Sequence, residues 1–400
     1  MKKKLALLIY PRVWKHLNRI FKEAEVLAEE GIVDEVIITS ILFDQSMKEV
    51  EYIHPNVKIE RINVYSNFLP KSTIGDGIRF IEFMIRIFLN HRKKKPFLVI
   101  PHRLSVLPLG SLFKKVCNSK VFYSPHELET ESIGLTGTRR TVMRYLEKKF
   151  IQSSEKVIVV GQYIADWYRK TYELQNVHVV RNIPDMIYDH NEKSNLLREK
   201  FSIPKDTILF INQGALRPYR NVDLLLDVFK ELPTKYHIVF MGYGSMVPII
   251  LDASEKHTNI HYKKTVEAKD IFKWTSSADI GIHLGRNECL SYVYANPNKI
   301  FEFLCSHLPI FINFNKPEMK NLIEQFNCGW GTENNKSDII KKIKSINKKN
   351  LLDKTEGAVS STKELNWKIE RKEIVKVFNK YLPNNHEEKI SAGSSFSSTY

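Results

Sequence analysis

Up to about residue 180, short apolar runs rich in Val and Ile alternate with longer amphipathic segments. Runs at 5–10, 35–39, 97–101, 120–124 and 156–160 read as buried strands, and the segment from about 17 to 30, closed by Gly31 as a C-cap, reads as the first connecting helix. Strand-helix units repeated in this way feed a parallel sheet. The rhythm breaks over the polar stretch 184–205 and restarts with a strand at 207–212. Further strands are expected at 238–241, 260–262, 280–283 and 309–313, with helices at 223–231, 270–276 and 298–306. The pattern therefore predicts an α/β chain of two Rossmann-like domains, 1–183 and 206–363, joined by a linker at 184–205. Open parallel sheets bind ligands beyond the carboxyl ends of their strands, so the site is expected in the cleft where the two sheets face each other. The Ser-rich segment 384–400 lacks core formers and is expected to be disordered.

One helix has two readings. Over 78–90, Arg79, Glu82, Arg86 and Asn90 recur at three- and four-residue spacing and leave a wide stripe of Phe80, Ile81, Phe83, Met84, Ile85, Ile87 and Phe88. The stripe either covers the sheet or, with the basic run 91–95 behind it, lies on an anionic membrane surface.

Composition narrows the partners. The 400 residues, 43% of them apolar, are enough for two cores. Lys and Arg number 61 against 45 Asp and Glu, a net charge of +16, which favours phosphorylated substrates, lipid headgroups or nucleic acid. The Lys-rich runs at 91–95 and 341–349 also read as solvated faces, and no aromatic-basic RNA module is present, so nucleic acid is not an expected partner. Four scattered cysteines, Cys117, Cys289, Cys305 and Cys328, have neither zinc-ligand spacing nor the density of a secreted disulfide framework. The apolar run at 5–10 is too short for a signal peptide, and no run approaches the roughly 18–20 apolar residues of a membrane span. A cytoplasmic protein, soluble or peripheral on the inner face of the membrane, is expected.

Two segments carry candidate chemistry. In the loop 211–223, Gly214 follows a strand, and Arg217 and Arg220 precede a helix. Backbone N–H groups and bidentate guanidinium groups of this kind grip phosphate, although loops that combine Gly and Arg are also common at plain surfaces. The second segment, 290–304, is a loop opening onto a helix. Pro297 suits the helix start, Asn296 or Asn298 can cap it, and Glu302 lies one turn in. That helix start can receive a phosphate while the carboxylate accepts ribose hydroxyls; taken alone, Glu302 equally fits a surface charge.

Taken together, the second half resembles the donor-binding domain of retaining glycosyltransferases of the GT-B fold, the group that includes bacterial capsule, lipopolysaccharide and mannosyl transferases. The matching pieces are Gln-Gly-Ala-Leu-Arg-Pro-Tyr-Arg220, His-Ile-Val-Phe-Met-Gly-Tyr-Gly244, Ser-Ser-Ala-Asp279-Ile-Gly-Ile and Asn-Pro-Asn-Lys299-Ile-Phe-Glu302 with the Phe-Leu-Cys-Ser-His-Leu-Pro-Ile that follows. The first half is similar less specifically, through Pro11-Arg12-Val13, Pro101-His102-Arg103, Ser124-Pro-His126-Glu127 and Val180-Arg-Asn182-Ile-Pro. The resemblance implies transfer of a sugar from a nucleotide diphosphate donor to a saccharide or lipid-linked acceptor in cell-surface polysaccharide synthesis, with retention and with no metal or other cofactor. It also implies that a helix at about 364–382 packs back on the first domain.

Residue by residue, the resemblance makes Arg220 and Lys299 cations for the departing diphosphate and puts His126 beside the reacting sugar. Gly214, Arg217, Ser291, Tyr292, Asn298 and Glu302 join the donor site, and Arg12, His102 and Glu127 face the acceptor. Two departures stand out. The family often carries a second Glu that contacts the sugar, where this chain has Tyr294, and an Arg after the loop glycine, where it has Ala215. Backbone N–H groups around 290–292 and the Arg217 side chain are the expected substitutes. A sugar-nucleotide epimerase on the same scaffold and a non-enzymatic polyanion binder are the rival readings.

Overall fold

The computed structural model describes residues 3–11, 18–42, 46–187 and 194–382. The segment expected to be disordered, 384–400, and the Arg12 candidate lie outside the described residues.

Eight strands form the first sheet: β1 (Leu5–Ile9), β2 (Glu35–Ile41), β3 (Val50–His54), β4 (Val57–Ile62), β5 (Leu98–Pro101), β6 (Lys120–Tyr123), β7 (Lys156–Val159) and β8 (Val177–Val179). Their order is β3-β4-β2-β1-β5-β6-β7-β8. All neighbours are parallel except β3 and β4, an antiparallel pair at the edge. The sequence pattern shows neither β3 nor β4, because β4 alternates Val57 and Ile59 with Lys58 and Glu60, and β3 begins exposed.

Six parallel strands form the second sheet: β9 (Ile208–Ala215), β10 (Tyr236–Tyr243), β11 (Ile260–Lys264), β12 (Ile280–His283), β13 (Ile310–Asn313) and β14 (Gly329–Thr332). They are ordered β11-β10-β9-β12-β13-β14. Strand order reverses at β1 in one sheet and at β9 in the other. Crevices open at such switch points, so the carboxyl ends of β9 and β12 are where a ligand belongs.

Both sheets are packed on both faces, and their central strands are accordingly buried along their length, as β1 and β13 are at every position. The helix Trp367–Phe378, started by Asn366 accepting the Ile369 N–H, packs on the first sheet although it follows the second in sequence. Phe378 stacks on Phe122 with ring centroids 4.8 Å apart, and buried Glu370 accepts from the Arg181 backbone N–H at 2.7 Å.

Between the halves, the Asn296 amide donates to the Val160 carbonyl at 2.9 Å. Glu318 accepts from the backbone N–H groups of Gln162 at 3.0 Å and Tyr163 at 3.4 Å. The helix Gln162–Tyr172 begins at Gly161 with no side-chain cap of its own, so a carboxylate from the other sheet's domain satisfies its first turn. These contacts hold one end of the cleft together.

Candidate functional site

Where the second sheet's switch point faces the first, there is a cleft of about 500 Å³. Gln213 and Gly214 at the end of β9, His283 at the end of β12 and the start of the helix Asn298–Cys305 form one wall of it. The backbones of β9 and β10 come close here. Gly214 has φ +101° and Gly242 φ +158°, and a Cβ on Gly242 would lie 1.8 Å from the Gly214 carbonyl oxygen. Only glycine fits that approach.

Of the residues singled out in the sequence, His126, Glu127, Gly214, Arg220, Ser291, Tyr292, Asn298, Lys299 and Glu302 all line this cleft. Two others do not. Arg217 is exposed, because the buried Leu216 before it turns inward, and His102 is buried beneath His126. Pro297, not Asn296 or Asn298, occupies the N-cap of the helix Asn298–Cys305 and gives it no side-chain cap. Asn296 reaches across to the other domain instead. Tyr294, where a second Glu is common in the family, packs toward the first domain with its ring 5.7 Å from that of Tyr163.

Glu302 is oriented by a short relay. The Thr275 hydroxyl donates to Gln213 Oε1 at 2.8 Å, and Gln213 Nε2 donates to Glu302 Oε2 at 2.6 Å. Burial raises the Glu302 pKa, against the pull of the Gln213 hydrogen bond and the Lys299 charge. Lys299 is pushed down to about 7, by burial first and then by repulsion from Arg220. Gly214 packs beside it, since a Cβ there would sit 3.5 Å from the Lys299 ammonium, at ordinary contact distance.

Sequence reasoning missed Lys316, which also lines the cleft. It is buried, donates to the Tyr292 carbonyl at 2.5 Å, and is lowered to about 8 by burial and by Arg220. A Cβ on Gly285 would come within 2.7 Å of Lys316 Cε, so this glycine makes room for the lysine. His283 lies among Lys299, Lys316 and Arg220; burial, then these cations, hold it well below its ordinary value and neutral. Gln213 and His283 did carry a signal, as polar residues closing apolar strands at their carboxyl ends. Lys316 carried none beyond its place just before Pro317.

Two buried lysines, each lowered by the same Arg220 charge, are costly unless an anion joins them. Buried Ser291 also lines the cleft, and its hydroxyl has no hydrogen-bond partner among the described residues.

On the facing wall, His126 stacks on Tyr10 at 5.6 Å, and its Nε2 is 3.3 Å from His102 Nδ1. His102 Nε2 faces Glu23 at 3.7 Å, and Glu23 is held by Arg19 at 2.9 Å and by the Ser124 hydroxyl at 3.0 Å. Burial drives His102 down to about 4 and His126 well below its ordinary value, with Arg19 the leading charge acting on His126. Both rings are neutral. Among the described residues, no group of three or more His, Cys, Asp or Glu is arranged to hold a metal, and no helix is long and apolar enough to cross a membrane.

No family model matches the chain. It is 25% identical over 232 residues to the amylovoran biosynthesis glycosyltransferase AmsD of Erwinia amylovora, a match covering 56% of this chain and 61%, under two thirds, of that protein. Among solved structures, sucrose-phosphate synthase from Thermosynechococcus elongatus superposes with a TM-score of 0.74 at 12% identity, over 94% of this chain and 99% of that one. The Anabaena protein Alr3699/HepE, solved in complex with UDP-glucose, gives 0.68 at 12% identity over 97% and 99%. With two facing sheets of this topology and superpositions that span nearly the whole chain, the protein has the GT-B glycosyltransferase fold.

Proposed function

We propose that the protein is a glycosyltransferase of polysaccharide or lipopolysaccharide synthesis that moves a sugar, with retention, from a nucleotide diphosphate donor to a saccharide or lipid-linked acceptor. The observation that carries this reading is the convergence of Arg220, Lys299 and Lys316 on the cleft beside Glu302, at the switch point of the second sheet. The similarity to a polysaccharide glycosyltransferase and to a structure holding UDP-glucose supports it.

In this reading the diphosphate lies among the three cations and against the helix start at Asn298, which has no side-chain cap. Glu302, oriented by Gln213, accepts the two ribose hydroxyl hydrogens. As the glycosidic bond breaks, charge grows on the leaving diphosphate, and fixed cations in a water-poor cleft stabilise that charge more than the ground state. The chain's own cations then serve where other enzymes use a divalent metal.

His126 acts as a neutral hydrogen-bonding group. With its Nε2 proton turned to Glu23, His102 presents the Nδ1 lone pair to the His126 Nε2–H, which leaves His126 Nδ1 as an acceptor for a sugar or acceptor hydroxyl. The missing second Glu is replaced by the Ser291 hydroxyl and the backbone around it.

A thermal-shift screen of nucleotide sugars, followed by mass analysis with saccharide and lipid-linked acceptors, tests the reading. The expected product carries one added sugar, and NMR of its anomeric carbon shows the donor's configuration kept. An isomerised donor in the absence of acceptor points to an epimerase, and no stabilisation by any nucleotide sugar overturns the donor site.

A further inference from the structure

The helix Thr73–His91 is apolar on two opposite sides. Phe83 and Ile87 are fully buried in the first sheet's core, with Phe80, Met84 and Phe88 packed against it. On the other side Ile74, Ile78, Ile81, Ile85 and Leu89 are each between 45% and 77% exposed. At 100° per residue these five fall in an arc of about 80°. The stripe read from the sequence is therefore wider than the core it covers, with half-buried Phe80, Met84 and Phe88 at the margin and Ile81 and Ile85 facing away from the core.

The exposed stripe is extended by its surroundings. Phe68, 83% exposed, precedes the helix, the exposed Tyr65 ring centroid lies 3.8 Å from the Arg86 guanidinium carbon, and Leu112 and Val116 of the helix Leu107–Cys117 are also exposed. A helix on the surface of a soluble domain carries charged residues on its outer face, and contiguous apolar patches of this kind mark contact surfaces.

Exposed cations surround the patch: Lys71 at one end, Arg92, Lys93, Lys94 and Lys95 at the other, and Lys115 on the neighbouring helix. The acidic groups on the helix are neutralised locally. Asp76 pairs with Arg79 at 2.5 Å, and Glu82 pairs with Arg86 at 2.6 Å while accepting the Tyr65 and Ser66 N–H groups.

We propose that this face is a docking surface for the headgroup region of an anionic lipid bilayer, with the helix lying in the membrane plane. An apolar strip with a cationic rim matches that interface on both counts, since acyl chains cover the isoleucines and lipid phosphates meet the lysines. A second copy of the chain fits less well, because a twofold contact through this patch sets the same cations against each other. Tyr65 and Phe68 follow the carboxyl end of β4, the end at which His102 follows β5, so the strip starts near the cleft rim. The surface is separate from the cleft and stands whether or not the proposed reaction is correct.

The test is flotation of the full chain with vesicles of phosphatidylcholine alone or mixed with phosphatidylglycerol. The parent is expected to float with the mixed vesicles, to do so weakly with phosphatidylcholine, and to be released by salt. The double variant Ile81→Glu/Ile85→Glu, checked for an unchanged melting temperature, loses about tenfold or more in vesicle binding. Lys93→Glu/Lys94→Glu loses the preference for anionic lipid. Parent protein left in the aqueous fraction overturns the proposal, as does a folded isoleucine variant that binds like the parent. A parent that sediments as a dimer and becomes a monomer in the isoleucine variant assigns the face to self-association and also overturns it.

Discussion

Donor binding should weaken as pH rises through neutrality, because Lys299 and Lys316 sit at about 7 and about 8 in the free protein instead of near the ordinary lysine value. Burial and the Arg220 charge lower both, and a bound diphosphate reverses the imbalance and recharges them. At pH 8 the free protein then holds Lys299 about one-tenth protonated and Lys316 about half protonated, so each donor molecule takes up about 1.4 protons on binding, against about 0.1 at pH 6. Over that range the affinity falls about twentyfold, or about 1.8 kcal/mol. Stability of the free protein moves the other way. The unfolded lysines bind protons more tightly than the folded ones, so stability rises with pH from about 7 toward the ordinary lysine value.

Titration calorimetry at pH 8 in Hepes and in Tris, whose ionisation enthalpies differ and neither of which is an oxyanion of phosphate, reads the proton count directly. A nucleotide sugar serves as ligand, since its diphosphate diester loses no proton in this range. Arg220 and Glu302, but not Lys316, act on Lys299, so Lys316→Met should reduce the uptake at pH 8 to about 0.9 protons. Heats that do not depend on the buffer, together with a flat affinity from pH 6 to 8, refute the assignment of these lysines to the diphosphate.

Gln213→Ala removes the donor that holds Glu302 and should weaken nucleotide-sugar binding roughly 10- to 100-fold in a folded protein, measured by the same titration. A chelator should change transfer by less than about twofold; strong inhibition that added Mg²⁺ or Mn²⁺ reverses means that a metal, not the three cations, carries the leaving group. Gly242→Ala sets a methyl against the Gly214 carbonyl and should cost about 3 kcal/mol or more in urea unfolding, with donor binding lost alongside. Phe378→Ala should cost about 3–5 kcal/mol, because Phe378 is fully buried and stacked on Phe122.

The strands easiest to foresee were those whose apolar runs are uninterrupted. The run at 5–10 is β1 to within a residue, and 280–283 is β12. β14 reads Gly-Trp-Gly-Thr; its glycines have no side chain to announce a strand, yet all four positions are buried. The helix at 78–90 begins five residues earlier, at Thr73, where Ser72 caps it through the Gly75 N–H. In the cleft, Gly214, Arg220 and Glu302 were legible because a loop after a strand and the first turn of a helix are local features. Lys316 was not, because it enters through the space left by Gly285, a neighbour that only the sheet brings to it. Arg217 illustrates the opposite case, adjacent to the site in sequence yet exposed and outside the cleft lining.

The helix Trp367–Phe378 also ties the first half of the molecule to the clock of its own synthesis. Ile374, Val377 and Phe378 complete a core whose last strand ends at Val179, so that core stays open while about 200 further residues are translated, roughly 10–40 s. The second sheet, complete by Thr332, can close before it. A nascent chain therefore carries an uncovered apolar seam on the part already made, exposed to chaperones and proteases until Phe378 has left the ribosome. Truncating the carboxyl terminus, or fusing a tag close to Phe378, strikes the half of the protein that was made first.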